Sequence, residues 1–129
     1  MANIKKINGY DIIDSTPYST NEVKTGNTWI DDKIIYKKTF HLADLEPDEG
    51  ETYKTITTGL TIDSLVKIEC IGLSSYTCLD FNNYTWFVET AVNTCSVLVD
   101  DSSNIIINYG GAAYINWIDD AYITLYYTK

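Results

Sequence analysis

The chain contains no arginine and no glutamine, one histidine, one methionine and two prolines. Its only strong cations are nine lysines, set against 18 Asp plus Glu, for a formal net charge of −9. That charge has the wrong sign for gripping phosphates, and the guanidinium forks that read them are missing, so no nucleic-acid partner is expected. Apolar runs are short, residues 105–107 being typical, so no membrane insertion is expected. Residues 1–8 lack the apolar stretch of a secretory leader, and none is expected.

Cysteine is also scarce and comes in an odd number: Cys70, Cys78 and Cys95. A disulfide framework favours an even count, and there is no C-x-x-C pair. The lone His41 lies far upstream, so a zinc site has no recognisable spacing, and no metal or other cofactor is expected. Each thiol sits in an apolar, strand-like context. All three therefore read as free thiols acting as small hydrophobes, in a protein made in a reducing cytoplasm.

The residues that are abundant favour strands. Ile, Thr, Tyr, Val, Phe and Trp total 56, against 30 for Ala, Leu, Glu, Lys and Met. Branched and aromatic side chains suit a pleated, half-buried surface. With 45% hydrophobic residues the chain can build a core and is not disordered.

Residues 1–26 are polar and turn-rich. From Asn27 the pattern becomes strand, turn, strand, with Asp31-Asp32-Lys33 at the turn of a hairpin. Its second strand places Ile34, Tyr36 and Phe40 on one face, and the aromatics of the hairpin formed by Trp29-Ile30, the turn and Ile35-Tyr36 are expected to anchor one edge of the core. Residues 42–50 hold Pro47, Gly50 and four acids and read as an exposed loop. Strands are expected over 51–59, 64–73, 84–92, 95–99, 104–109 and 121–128, with a further one over 114–118. In 64–73, Val66, Ile68 and Cys70 share a face and Lys67 and Glu69 the other. Asn82-Asn83 and Asp100-Asp101 mark turns, and Gly110-Gly111 a bend.

Strands at intervals near ten residues, with no long amphipathic helix, predict an all-β fold: an antiparallel β-sandwich, a jelly-roll-like knob. The expected organisation is a short N-terminal attachment segment, 1–26, and a β-sandwich knob, 27–129.

No phosphate loop, dinucleotide fingerprint or nucleophile elbow is present. A Ser-His-Asp device would have to rest on His41. The acidic pairs Asp31-Asp32, Asp100-Asp101 and Asp119-Asp120 read as turn formers, and none follows the EF-hand calcium spacing. The aromatic residues are more informative. Tyr84, Trp86, Tyr109, Tyr114 and Trp117 lie near turns. Rings beside Asp and Asn suit a sugar, the ring packing on C–H faces while polar groups bond hydroxyls; buried, the same rings are plain core. The candidate glycan-binding set is Tyr84, Trp86, Tyr114 and Trp117, and no catalytic residue is assigned.

Three stretches carry a resemblance. Residues 6–16, with Ile7-Asn8-Gly9-Tyr10, resemble the "I-N-G-Y-x-I-x-D-x-T" segment near the start of many bacteriophage structural and tail-fibre proteins. Residues 18–40 are similar to "Y-S-T-x-E-x-x-x-G-T-W-I-D-G-K-P-I-Y-x-K-T", with Asn27 inserted, Asp32 for the usual Gly and Ile34 for the Pro. Residues 122–129 look like "Y-V-T-I-x-Y-T-K". The resemblance implies a non-enzymatic virion protein, a tail-fibre or head-fibre appendage. It implies receptor-binding through host-surface glycans and a homotrimer, and the polar, turn-rich residues 1–26, ending in Thr25-Gly26, are expected to contact other virion proteins. The alternatives are a structural capsid decoration without ligand and the polysaccharide-targeting module of a depolymerase.

Overall fold

Alternating Ile, Thr and Tyr along each run settle into strands because one side of every strand finds a core. The computed structural model describes residues 6, 7, 10, 11 and 19–129, and no helix occurs among them. Short strands β1 (Lys6–Ile7) and β2 (Tyr10–Asp11) pair with each other. The rest are β3 (Val23–Thr28), β4 (Ile34–Leu42), β5 (Tyr53–Ile56), β6 (Ser64–Leu73), β7 (Cys78–Leu79), β8 (Tyr84–Val88), β9 (Ala91–Val99), β10 (Ile105–Gly110) and β11 (Asp120–Thr128). They form a five-stranded sheet, β3-β4-β11-β6-β7, and a four-stranded sheet, β5-β10-β9-β8. Every pairing is antiparallel.

The two sheets face each other across one core. Ala121, Ile123, Leu125, Tyr127, Leu42 and Cys70 come from the larger sheet, and Cys95, Val97, Ile105, Ile107 and Tyr109 from the smaller. Four loop residues, Leu45, Phe81, Ile115 and Ile118, complete that core and are all buried. Each fully buried Ile, Leu or Phe contributes on the order of 1.5–3 kcal/mol, so these loops are held by burial without regular pairing. This is the expected all-β sandwich. Its wrap is that of a jelly roll in the outer half, where β4 and β5 pair with β11 and β10. The inner strands β6 to β9 run instead as two hairpins, one in each sheet.

Several local expectations change. The hairpin at Asp31-Asp32 forms, and Asp32 takes φ 64°, the left-handed conformation that glycine adopts most easily. Tyr36 packs against the core as expected and Ile35 is buried, but the second aromatic packed there is Phe40 and not Trp29. Ile30 is 90% exposed and Ile34 lies at the exposed start of β4, because β3 ends at Thr28 before the turn begins. Residues 84–92 form no single strand. Glu89 takes φ 56°, and a two-residue turn folds Val92 back opposite Phe87. Residues 114–118 form no strand, because Ile115 and Ile118 both insert into the core, which an extended strand's alternation would prevent.

Strand β3 also crosses the boundary expected between residues 26 and 27. Val23 and Lys24 pair with Lys37 and Tyr36, and the Thr39 amide donates to the Ser19 carbonyl at 2.9 Å. Residues 19–26 therefore belong to the larger sheet. An attachment role for 1–18 falls almost wholly outside the described residues.

Candidate functional site

One end of the sandwich is built from aromatic rings. The turn at Asn82-Asn83 starts β8, with Asn83 at φ 59° and the Asn82 side-chain oxygen accepting from the Val97 amide at 2.9 Å. The β8–β9 register then sets Tyr84 opposite Cys95 and Trp86 opposite Asn93. Cys95 and Asn93 are buried, so both rings point inward toward the end of the core.

A second element closes on them. Asn93 Oδ1 accepts from the Ala113 amide at 3.1 Å, which ties the segment after β10 to β9. Ile115 and Ile118 anchor that segment in the core; Trp117 beside them meets the rings of β8, and Tyr114 meets Tyr109 of β10. Tyr84 stacks on Trp86 at 5.6 Å between centroids, 18° from parallel. Trp117 stands edge-on to Trp86 at 5.7 Å and to Tyr84 at 6.4 Å. Tyr109 joins Trp86 at 6.4 Å and Tyr114 at 6.3 Å. Stacked and edge-to-face pairs at these spacings are each worth about 0.5–1.5 kcal/mol beyond area burial, so the group is stiff.

The structure thus brings together all four residues of the candidate set, spread over 34 positions of sequence, and adds Tyr109 as the link. Trp117 is 39% exposed; Tyr84, Trp86 and Tyr114 are half-buried. Tyr109 is buried and donates its hydroxyl to the Leu45 carbonyl at 2.7 Å. Burial, then the neighbouring Cys95, push its pKa far above the ordinary tyrosine range, so it remains a hydrogen-bond donor.

Beside Tyr109 and Tyr114 opens a cleft of about 670 Å³. Its far wall is the loop carrying Glu46, Asp48, Glu49 and Glu51, and its floor includes Gly111 and Ala113. The loop is fastened to both neighbouring strands. Tyr109 donates its amide to the Thr52 carbonyl, Asp48 Oδ2 accepts from the Thr55 amide, and Lys54 reaches the Glu46 carbonyl at 3.3 Å. Sequence reasoning placed this loop at the surface but gave no sign that it faces the rings. Asn93 carried no signal in the sequence either, since it fell between the strands expected over 84–92 and 95–99.

The other chemical candidates are occupied elsewhere. His41 Nε2 lies 2.7 Å from Asp120 Oδ1, and its ring meets that of Tyr122 at 4.9 Å, tilted by 30°, on the outer face of the larger sheet. Asp100 Oδ1 accepts from the amides of Ser102 and Asn104, as a turn former does. Cys70 and Cys95 are buried and Cys78 exposed, all three free; burial pushes the Cys70 thiol up and the Cys95 thiol to about 12. Among the described residues no three His, Cys, Asp or Glu side chains are grouped to hold a metal.

Compared with known protein families, curated proteins and solved structures, the chain gives no match.

Proposed function

We propose that this chain is a non-enzymatic appendage or fibre knob of a bacteriophage particle that holds a host-surface glycan at its aromatic end. The observation that carries the reading is the convergence of Tyr84, Trp86, Tyr114 and Trp117 on one end of the sandwich, linked through Tyr109. Core tyrosines and tryptophans need no such gathering at a rim. Partly exposed rings offer flat apolar faces to sugar C–H groups, and the adjoining acidic cleft offers acceptors for hydroxyls. The phage assignment rests on the resemblance of residues 6–40 and 121–129. In this reading the knob is a homotrimer within the virion, so three weak sites act together by avidity, and the chain's N-terminal part meets other virion proteins.

The test is adsorption of purified protein to host cells and to their isolated surface polysaccharide. Trp117→Ala and Tyr114→Ala should remove binding while leaving the fold intact. Normal binding by both variants overturns the aromatic site. One observation favours a second reading, polysaccharide cleavage: four carboxylates line the same cleft. Release of new reducing ends by the wild type, absent in Glu49→Gln and Glu51→Gln, would establish it.

A further inference from the structure

We infer that the outer face of the four-stranded sheet, with the free edge of β8, is where copies of this chain associate. The inference rests on the oligomer proposed above and names its interface. By register, the positions on that face are Thr85 and Phe87 on β8; Val92, Thr94, Ser96 and Leu98 on β9; Ile106 and Asn108 on β10; and Tyr53 and Thr55 on β5. None is charged, in a chain of net charge −9. The outer face of the larger sheet is different, carrying Lys37, His41, Lys67 and Glu69.

The uncharged face is also greasy. Phe87 is 66% exposed, its cross-strand partner Val92 52%, and Leu98 42%, with Ile106 directly opposite Leu98. Acids lie at its borders: Glu89 and Asp100-Asp101 at the turns that end it, and Asp48 along the β5 edge, the side away from β8. This charge pattern selects the occupant. A cationic partner would be met by acids and an anionic one by lysines. A second copy of a −9 chain meets least repulsion where neither copy presents a carboxylate.

The edges of the sheets point the same way. An open strand edge is a template for pairing, and folded proteins usually blunt it. Edge strand β7 has two residues, and β3 is interrupted by a register shift and carries Lys24. The edge of β5 is covered by Asp48, which bonds the Tyr53 carbonyl and the Thr55 amide. Strand β8 has none of these protections: Tyr84–Val88 is five residues long, regular and uncharged. Its two-residue turn makes Val88 and Ala91 a hydrogen-bonded pair, so the backbone groups of Thr85 and Phe87 point away from β9. Among the described residues no strand lies beyond it.

Light scattering after gel filtration at micromolar concentration tests this, on the full chain at low and high salt. The wild type should run as a multiple of 14.6 kDa. Salt should tighten the assembly, because it screens the repulsion between whole chains while the interface has no ion pairs to weaken. The double variant F87E/L98E alters two exposed side chains and should run as a folded monomer, with K37E on the opposite face assembling like the wild type. If F87E/L98E keeps the wild-type mass, this face is wrong while the oligomer stands. If the wild type is itself a monomer, the oligomer reading and this interface both fall.

Discussion

Tyr127, on the central strand of the larger sheet, donates its hydroxyl to the carboxylate of Glu22, just before the edge strand β3. Lys129 reaches the same carboxylate at 2.6 Å and lies over the Tyr36 ring at 4.4 Å. The end of the chain is thereby fastened to the segment that enters the sheet.

Glu22 should therefore make stability depend on pH. Burial alone would raise its pKa, but hydrogen bonds from Lys129 and Tyr127 and the Lys129 charge hold it below the ordinary 4.5. A depressed carboxyl stabilises the folded state above the unfolded pKa, and the contribution is lost as pH falls through the folded value. Glu22→Gln should lower the urea midpoint at pH 7, and the gap to the wild type should close in acid. A gap that persists unchanged below about pH 3 would show that the carboxylate's charge is not responsible.

Two truncations locate the domain edge. Removing residues 1–26 deletes Glu22 and the part of β3 that pairs with Tyr36 and Lys37. Removing 1–18 keeps both. The longer deletion should melt well below the shorter one, and equal melting temperatures would return the boundary to residue 27.

Gly111→Ala should be strongly destabilising. Gly111 has φ 98°, and a Cβ there would lie 2.4 Å from Asn93 Oδ1 and 2.7 Å from the Val92 carbonyl. The strained backbone alone costs about 1–3 kcal/mol, and displacing Asn93 also breaks its bond to Ala113. Chemical denaturation should register the loss, and tryptophan fluorescence should change as Trp117 leaves Trp86.

Thiol chemistry should separate the three cysteines. Cys78 is exposed and should react with a maleimide in the native protein. Cys70 and Cys95 are buried with raised pKa values and should react only on unfolding, when all three become titratable. Two reactive thiols in the native protein would mean that the core opens locally.

The strand class was legible in the chain because a branched or aromatic residue at every second position admits few other structures. In 64–73 the alternation predicted the strand and put Ile68 and Cys70 on its inner face, as β6 has them; Val66, expected with them, falls at a register shift that sets Leu65 opposite Tyr127 instead. The acidic turns were equally plain, since Asp and Asn bond their own backbone within a few residues, as Asp31 and Asp100 do. Where local signals conflicted with pairing, pairing prevailed. Residues 84–92 read as one strand, yet the chain reverses at Glu89, because Val92 gains a partner in Phe87 only by turning back. The segment 114–118 looked extended, but its two isoleucines both fill the end of the core.

The aromatic site divides in the same way. Sequence alone supplied its members, because Tyr84, Trp86, Tyr114 and Trp117 stood beside turns rich in polar residues. That these rings touch, that Tyr109 joins them, and that an acidic loop from residues 46–52 walls the adjoining cleft follow from long-range contacts. The same holds for β3, whose place in the sheet depends on Tyr36 and Lys37 across a turn and on Tyr127 and Lys129 about a hundred residues later. Composition and periodicity are local and fix strands and their faces. Which faces and ends meet depends on how two sheets share one core, which the tertiary structure decided.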